Sequence, residues 1–183
     1  KIISQQKKSH TNLPVYFGFG QYEKEIFDAY SLNVKEYIPN GSIKMGIFNT
    51  YYISKSKRKK GIRFISQYRS SSEKSNNPIF VNFFEIQKKI LQNISMFSLN
   101  NNVDFKIVLY SEMGNINLDQ EREYYDNIFG KKKVGYLINN YSKLSAYSYC
   151  HDGEIVIHMN SSLGFEFFGN GYKVLFGNTS DEK

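Results

Sequence analysis

The chain has 183 residues, 40% hydrophobic and 16% aromatic, which is enough to bury one substantial core and excludes a largely disordered protein. Lys and Arg number 24 against 17 Asp and Glu, and the net charge of +7 admits nucleic acid, anionic lipid or an anionic substrate as partner. The single cysteine, Cys150, excludes an intrachain disulfide; no secretory signal and no apolar run of membrane-spanning length occurs, so a reducing cytoplasm is the expected compartment.

Pro14–Phe19 reads as a buried strand that passes through Gly20 into a helix over Gln21–Tyr30, where Tyr22, Ile26, Phe27 and Tyr30 share one face. Asn33–Ile38 is a second strand. Pro39-Asn40-Gly41-Ser42 is a turn, and Ser42 is placed as the N-cap of a helix over Ile43–Tyr52. A third strand covers Gly61–Ser66, followed by a polar, Ser-rich loop over Gln67–Asn77. Pro78, in the favoured first-turn position, opens a long helix from Ile79 to about Leu99 whose apolar face carries Phe80, Phe83, Phe84, Ile90, Leu91 and Ile94. The spacing then predicts a strand at Asp104–Tyr110, a helix at Leu118–Phe129 ended by Gly130, a strand at Val134–Ile138 and a helix at Ser142–Cys150. A strand from Glu154 to Met159, a short helix over Leu163–Phe168 and a last strand ending at Phe176 complete the order.

Strands and helices alternate without hairpin signals. The expected fold class is therefore α/β: a Rossmann-like, mostly parallel sheet flanked by helices. Three segments are expected: 1–54, a strand–helix–strand–turn–helix stretch leading into the main lobe; 55–60, a basic connector; and 61–183, the main lobe. Lys55, Lys57, Arg58, Lys59 and Lys60 form that connector. It has two readings, a solvated linker or a contact with a membrane surface or anionic acceptor. A first residue of Lys rather than Met, and a short tail after Phe176, suggest a piece of a longer protein or a processed chain.

Ligands of parallel sheets bind beyond the carboxyl ends of the strands. The residues expected there are Ser66, Gln67, Tyr68 and Arg69; Ser111 and Glu112; Asn139 and Asn140; and Asn160, Ser161 and Ser162. They make a rim rich in hydroxyls and amides. The Ser161-Ser162 step between an apolar strand and a short helix suits a phosphate, and the same hydroxyls suit helix capping; the two roles are compatible. Glu166, one turn on, is placed either for sugar hydroxyls or as a helix-surface carboxylate. Arg69 has the charge to neutralise a diphosphate and Tyr68 the ring to stack on a base, or both are exposed loop residues. Gly41 and Ser42 either bring amides near phosphates or form a plain turn and cap. His151-Asp152-Gly153 reads as a surface turn at the wrong end of the sheet. His158 reads as a core histidine or a donor contact near the pocket mouth. No P-loop and no dinucleotide fingerprint is present, and the scattered His and Cys residues form no metal-binding pattern.

The segment Ser145-Ala146-Tyr147 … Ile155-Val156-Ile157-His158-Met159-Asn160-Ser161-Ser162-Leu163-Gly164-Phe165-Glu166 … Gly171-Tyr172-Lys173-Val174-Leu175-Phe176 resembles the C-terminal lobe of bacterial surface-carbohydrate biosynthesis transferases. These are GT-B-type glycosyltransferases of capsule and lipopolysaccharide assembly. Tyr37–Lys44 and Glu121–Gly130 are also similar to that group. The resemblance implies a two-lobed enzyme whose donor nucleotide-sugar is held in this lobe by Asn160, Ser161, Ser162, Gly164 and Glu166. It implies a glycan or lipid-linked acceptor, no cofactor, no catalytic metal, and a catalytic base supplied by the other lobe, so this segment alone is expected to be inactive. Related sialyl- and Kdo-type transferases carry a His-Pro pair; here Tyr110-Ser111-Glu112 stands near where such a pair falls, which counts against a CMP donor.

The expected function is thus the donor-nucleotide-binding lobe of a glycosyltransferase of surface polysaccharide biosynthesis, at the inner face of the membrane. Ser161, Ser162, Glu166, Asn160, Gly164, Arg69, Tyr68, Gln67, Gly41, Ser42 and Ser111 are its candidate donor contacts. No residue stands out as a catalytic base. The alternatives are a CDP-glycerol-type polyol-phosphate transferase and a non-catalytic α/β binding module. Nucleic acid is disfavoured, because the charge sits in one connector and no aromatic-basic motif accompanies it.

Overall fold

A computed structural model describes residues 12–30, 32–53, 60–68, 77–112, 117–130, 134–140 and 143–177. Arg69 and the basic residues Lys55, Lys57, Arg58 and Lys59 lie outside the described residues. The chain forms two compact units that divide between Tyr51 and Tyr52.

The first unit holds two parallel strands, β1 (Asn12–Gly18) and β2 (Asn33–Pro39), joined by helix α1 (Gln21–Ala29) and followed by α2 (Ile43–Tyr51). Tyr16, Phe27 and Tyr37 pack together, with ring centroids 4.9–6.0 Å apart. Glu23 binds this cluster to the strand exits: its carboxylate accepts from Tyr37 Oη at 2.8 Å and from the Phe19 amide at 2.7 Å.

The second unit is a five-stranded sheet in the order β5-β4-β3-β6-β7, every neighbouring pair parallel. The strands are β3 (Ile62–Ile65), β4 (Phe105–Glu112), β5 (Gly135–Asn139), β6 (Ile155–His158) and β7 (Lys173–Phe176). Among the described residues four helices flank them: α3 (Pro78–Asn101), α4 (Asn117–Phe129), α5 (Ser145–His151) and α6 (Ser162–Gly169). Central β3 is buried along its whole length, so it reads as a continuous apolar run broken only by Arg63. Register places Phe64, Ile107 and Ile157 side by side, and these join Leu91 of α3 and Tyr125 of α4 in the main core.

Local signals set the element ends. Asn77 Oδ1 accepts from the Ile79 amide at 3.0 Å, capping α3 just ahead of Pro78. Gly130, at φ 63°, ends α4 in the left-handed region where a Cβ is unfavourable. The strand–helix alternation and the parallel sheet are those the sequence predicts, a Rossmann-like α/β architecture. Buried Arg63 is held near the amino end of β3. Its guanidinium pairs with Asp104 Oδ2 at 3.0 Å and donates to the Ile62 carbonyl at 3.1 Å.

Candidate functional site

From β3 the chain steps outward to β4 and β5, then crosses back to lay β6 on the other side of β3. The loops after β3 and β6 therefore leave in opposite directions and open a crevice, the topological switch point of a doubly wound sheet. A cavity of about 660 Å³ occupies it, a size suited to a small-molecule ligand. The strand-exit loops supply Ser66, Gln67, Asn160, Ser161 and Ser162; Tyr68, Ile79, Phe83, Phe84, Tyr110 and Phe165 supply an aromatic and apolar wall. None of these described lining residues is acidic, basic or a histidine.

Two internal bonds shape the rim. Gln67 Oε1 accepts from the Asn160 amide at 2.7 Å, joining loops 93 residues apart in sequence. His158 Nδ1 accepts from the Ser161 amide at 2.9 Å. The Asn160 and Ser161 backbone N–H groups are thus already engaged, because side chains at the strand exits supply acceptors for them. The Ser161 side chain, although at the N-cap position of α6, makes no capping hydrogen bond. Both serines line the cavity, Ser161 half-buried and Ser162 exposed.

The other candidate residues divide. Gly164 is buried against the His158 ring, where a side chain would collide with it. Glu166 Oε2 accepts from Tyr147 Oη at 2.7 Å, and the residue is not part of the cavity lining. Tyr68 lines the cavity but is 4% exposed, its ring tilted on Tyr124 at 5.1 Å, so its aromatic contact is internal. Ser111 is buried beneath the rim. Gly41 and Ser42 belong to the first unit: Gly41 has φ 71° and Ser42 Oγ accepts from the Met45 amide at 3.1 Å, a turn followed by a cap. His151 lies near the amino end of β6, with Nδ1 2.6 Å from Tyr172 Oη.

Sequence reasoning missed the anchor under the cavity floor. The Glu121 carboxylate, fully buried, accepts from Ser66 Oγ, from the Tyr110 amide at 2.9 Å and from the Ser111 amide at 2.8 Å. Ser66 Oγ in turn accepts from Tyr125 Oη at 2.8 Å and from the Tyr68 amide at 3.2 Å. Burial holds the Tyr125 phenol well above its ordinary pKa, so it stays a donor. With its proton given and two bonds accepted, Ser66 is a structural tie between the exits of β3 and β4. The available signal was a carboxylate on an apolar stripe: Glu121 is spaced with Leu118, Tyr125 and Ile128 on the buried face of α4.

A family model described as "putative O-antigen biosynthesis protein" matches residues 2–181. The chain belongs to that family. Membership in the O-antigen biosynthesis family places the protein in surface-carbohydrate biosynthesis and names no reaction. No curated protein matches the chain. Among the described residues, no helix is long and apolar enough to cross a membrane, and no group of three or more His, Cys, Asp or Glu is placed to hold a metal ion.

His158 makes the site sensitive to acid. Its ring is fully buried, and burial lowers its pKa from 6.5. The unfolded chain therefore binds this proton more readily than the folded one. The stability His158 contributes is complete above pH about 6.5 and is lost as pH falls toward the folded value, by at most about 1.4 kcal/mol per pH unit. Melting temperature is expected to fall between pH 7 and pH 5, and His158→Gln to flatten that slope. An identical slope in the variant would assign it to other groups.

Proposed function

We propose that the second unit is the donor-binding lobe of a GT-B-type glycosyltransferase that builds surface carbohydrate. The observation that carries this reading is the cavity at the switch point, with the uncapping Ser161 hydroxyl and exposed Ser162 on its rim at the start of α6. In such a transfer a sugar cation separates from a nucleotide phosphate. Hydroxyls and helix-start amides already in place would stabilise the departing negative charge without reorganising. The donor is then a nucleotide-sugar and the acceptor a glycan or lipid-linked glycan, met at the inner face of the membrane. Gln67 and His158 act by holding the Asn160–Ser162 loop open toward the cavity.

The test is calorimetric titration of the protein with nucleoside diphosphates. Binding is expected, and Ser161→Ala combined with Ser162→Ala should weaken it roughly 100-fold, two charge-assisted hydrogen bonds at about 1.5 kcal/mol each. Unaltered affinity in the double variant removes the serines from the mechanism. One observation favours a second reading: the described lining carries no acid, base or histidine to act in catalysis. A two-lobed enzyme takes its base from the facing lobe; a non-catalytic binding module needs none. Consumption of a nucleotide-sugar by the complete protein separates the two.

A further inference from the structure

The cavity lining combines two chemistries, hydroxyls and amides from the exits of β3 and β6 and rings from α3 and β4, and the donor reading uses only the first. The other is aromatic. Phe83 and Phe84, early in α3, meet edge to face at 5.4 Å. Phe84 is braced on Tyr124 at 5.7 Å, and Tyr124 on Tyr68 at 5.1 Å.

Tyr110 lines the same cavity from the end of β4. Its strand neighbours Leu109 and Ser111 are 1% and 4% exposed, whereas Tyr110 is 53% exposed and lines the cavity. Its backbone is pinned, since its amide donates to Glu121. A rigidly held strand thus presents a half-exposed aromatic ring to a cavity, where burial does little to stabilise the fold. Such a ring offers a flat apolar face to a ligand at small entropic cost.

We propose that Tyr110, with the Phe83–Phe84 wall, is a stacking subsite for a planar, uncharged ring: the base of a nucleotide whose phosphates reach Ser161 and Ser162. This rests on the donor-binding reading and adds the direction in which the ligand lies, base toward α3 and β4, phosphate toward α6. Stacking of a base on an aromatic side chain contributes about 1–3 kcal/mol and tolerates any base. The subsite accordingly selects for a ring and leaves the choice among bases to other contacts.

The experiment compares a nucleoside diphosphate with inorganic pyrophosphate on the complete chain and three variants. Tyr110→Ala is expected to weaken the nucleotide about tenfold or more and leave pyrophosphate unchanged. Tyr110→Phe should bind both as the parent does, and Ser161→Ala with Ser162→Ala should weaken both. Parent-like nucleotide affinity in Tyr110→Ala overturns the stacking subsite while the donor site stands. Equal loss of nucleotide and pyrophosphate in Tyr110→Ala also overturns it, because the residue would then be shaping the phosphate end. Binding of neither probe to the parent chain removes the donor reading itself.

Discussion

Glu121→Ala is expected to cost about 3–5 kcal/mol of stability, the largest effect of any single change at the site. The substitution leaves the Tyr110 amide, the Ser111 amide and the Ser66 hydroxyl without the buried carboxylate that accepts from them. Each stranded buried group costs about 1–3 kcal/mol, reduced where the structure relaxes. Glu121→Gln keeps a carbonyl for one or two of these donors but turns an NH₂ group toward another. It should lose about half as much. Urea denaturation of the three proteins measures both values. Ser66 and Tyr110 also line the cavity, so ligand affinity should fall alongside stability. A Glu121→Ala protein within about 1 kcal/mol of the parent would mean that the carboxylate does not hold the strand exits together.

Gly164→Ala is the second. Alanine is the better helix former by about 1 kcal/mol, and Gly164 sits inside α6. Here the gain is outweighed. A Cβ at this position falls within the van der Waals radii of the His158 ring. That ring has no room to retreat: it is fully buried, its Nδ1 is bonded to the Ser161 amide, and Phe176 and Phe165 lie at 4.6 and 5.2 Å. Overpacking of this kind costs about 1–3 kcal/mol. It should also displace the Ser161 loop and weaken anion binding. Gly169→Ala is the control at the other end of the same helix, since nothing lies within 4 Å of its added Cβ. Thermal unfolding should show a clear loss for Gly164→Ala and none for Gly169→Ala. Equal behaviour of the two would mean that α6 shifts freely over His158.

Gly164 has a packing place that the sequence did not show. A Leu-Gly-aromatic-Glu step after two serines marks it as a donor contact, yet its place is against a histidine, and it acts on the loop by leaving room. Glu166 is similar. A carboxylate one helical turn past the two serines looks aimed at sugar hydroxyls, and in the fold it accepts from Tyr147, 19 residues away.

Order and type of the elements were legible residue by residue. Apolar spacing, the Asn77-Pro78 start of α3 and the Gly130 end of α4 act within a few positions, so each strand and helix among the described residues could be placed before any packing was known. The exits of the strands, and hence the serines on a polar rim, followed from that alternation. Packing alone decided which exits meet. The order β5-β4-β3-β6-β7 puts the loops after β3 and β6 together and lets Gln67 reach Asn160 across 93 residues. It buries Glu121 under three donors and leaves Tyr110 half out of the core. Backbone periodicity records which face of an element is apolar; which other element covers that face is a competition among distant partners, settled only when the whole sheet closes.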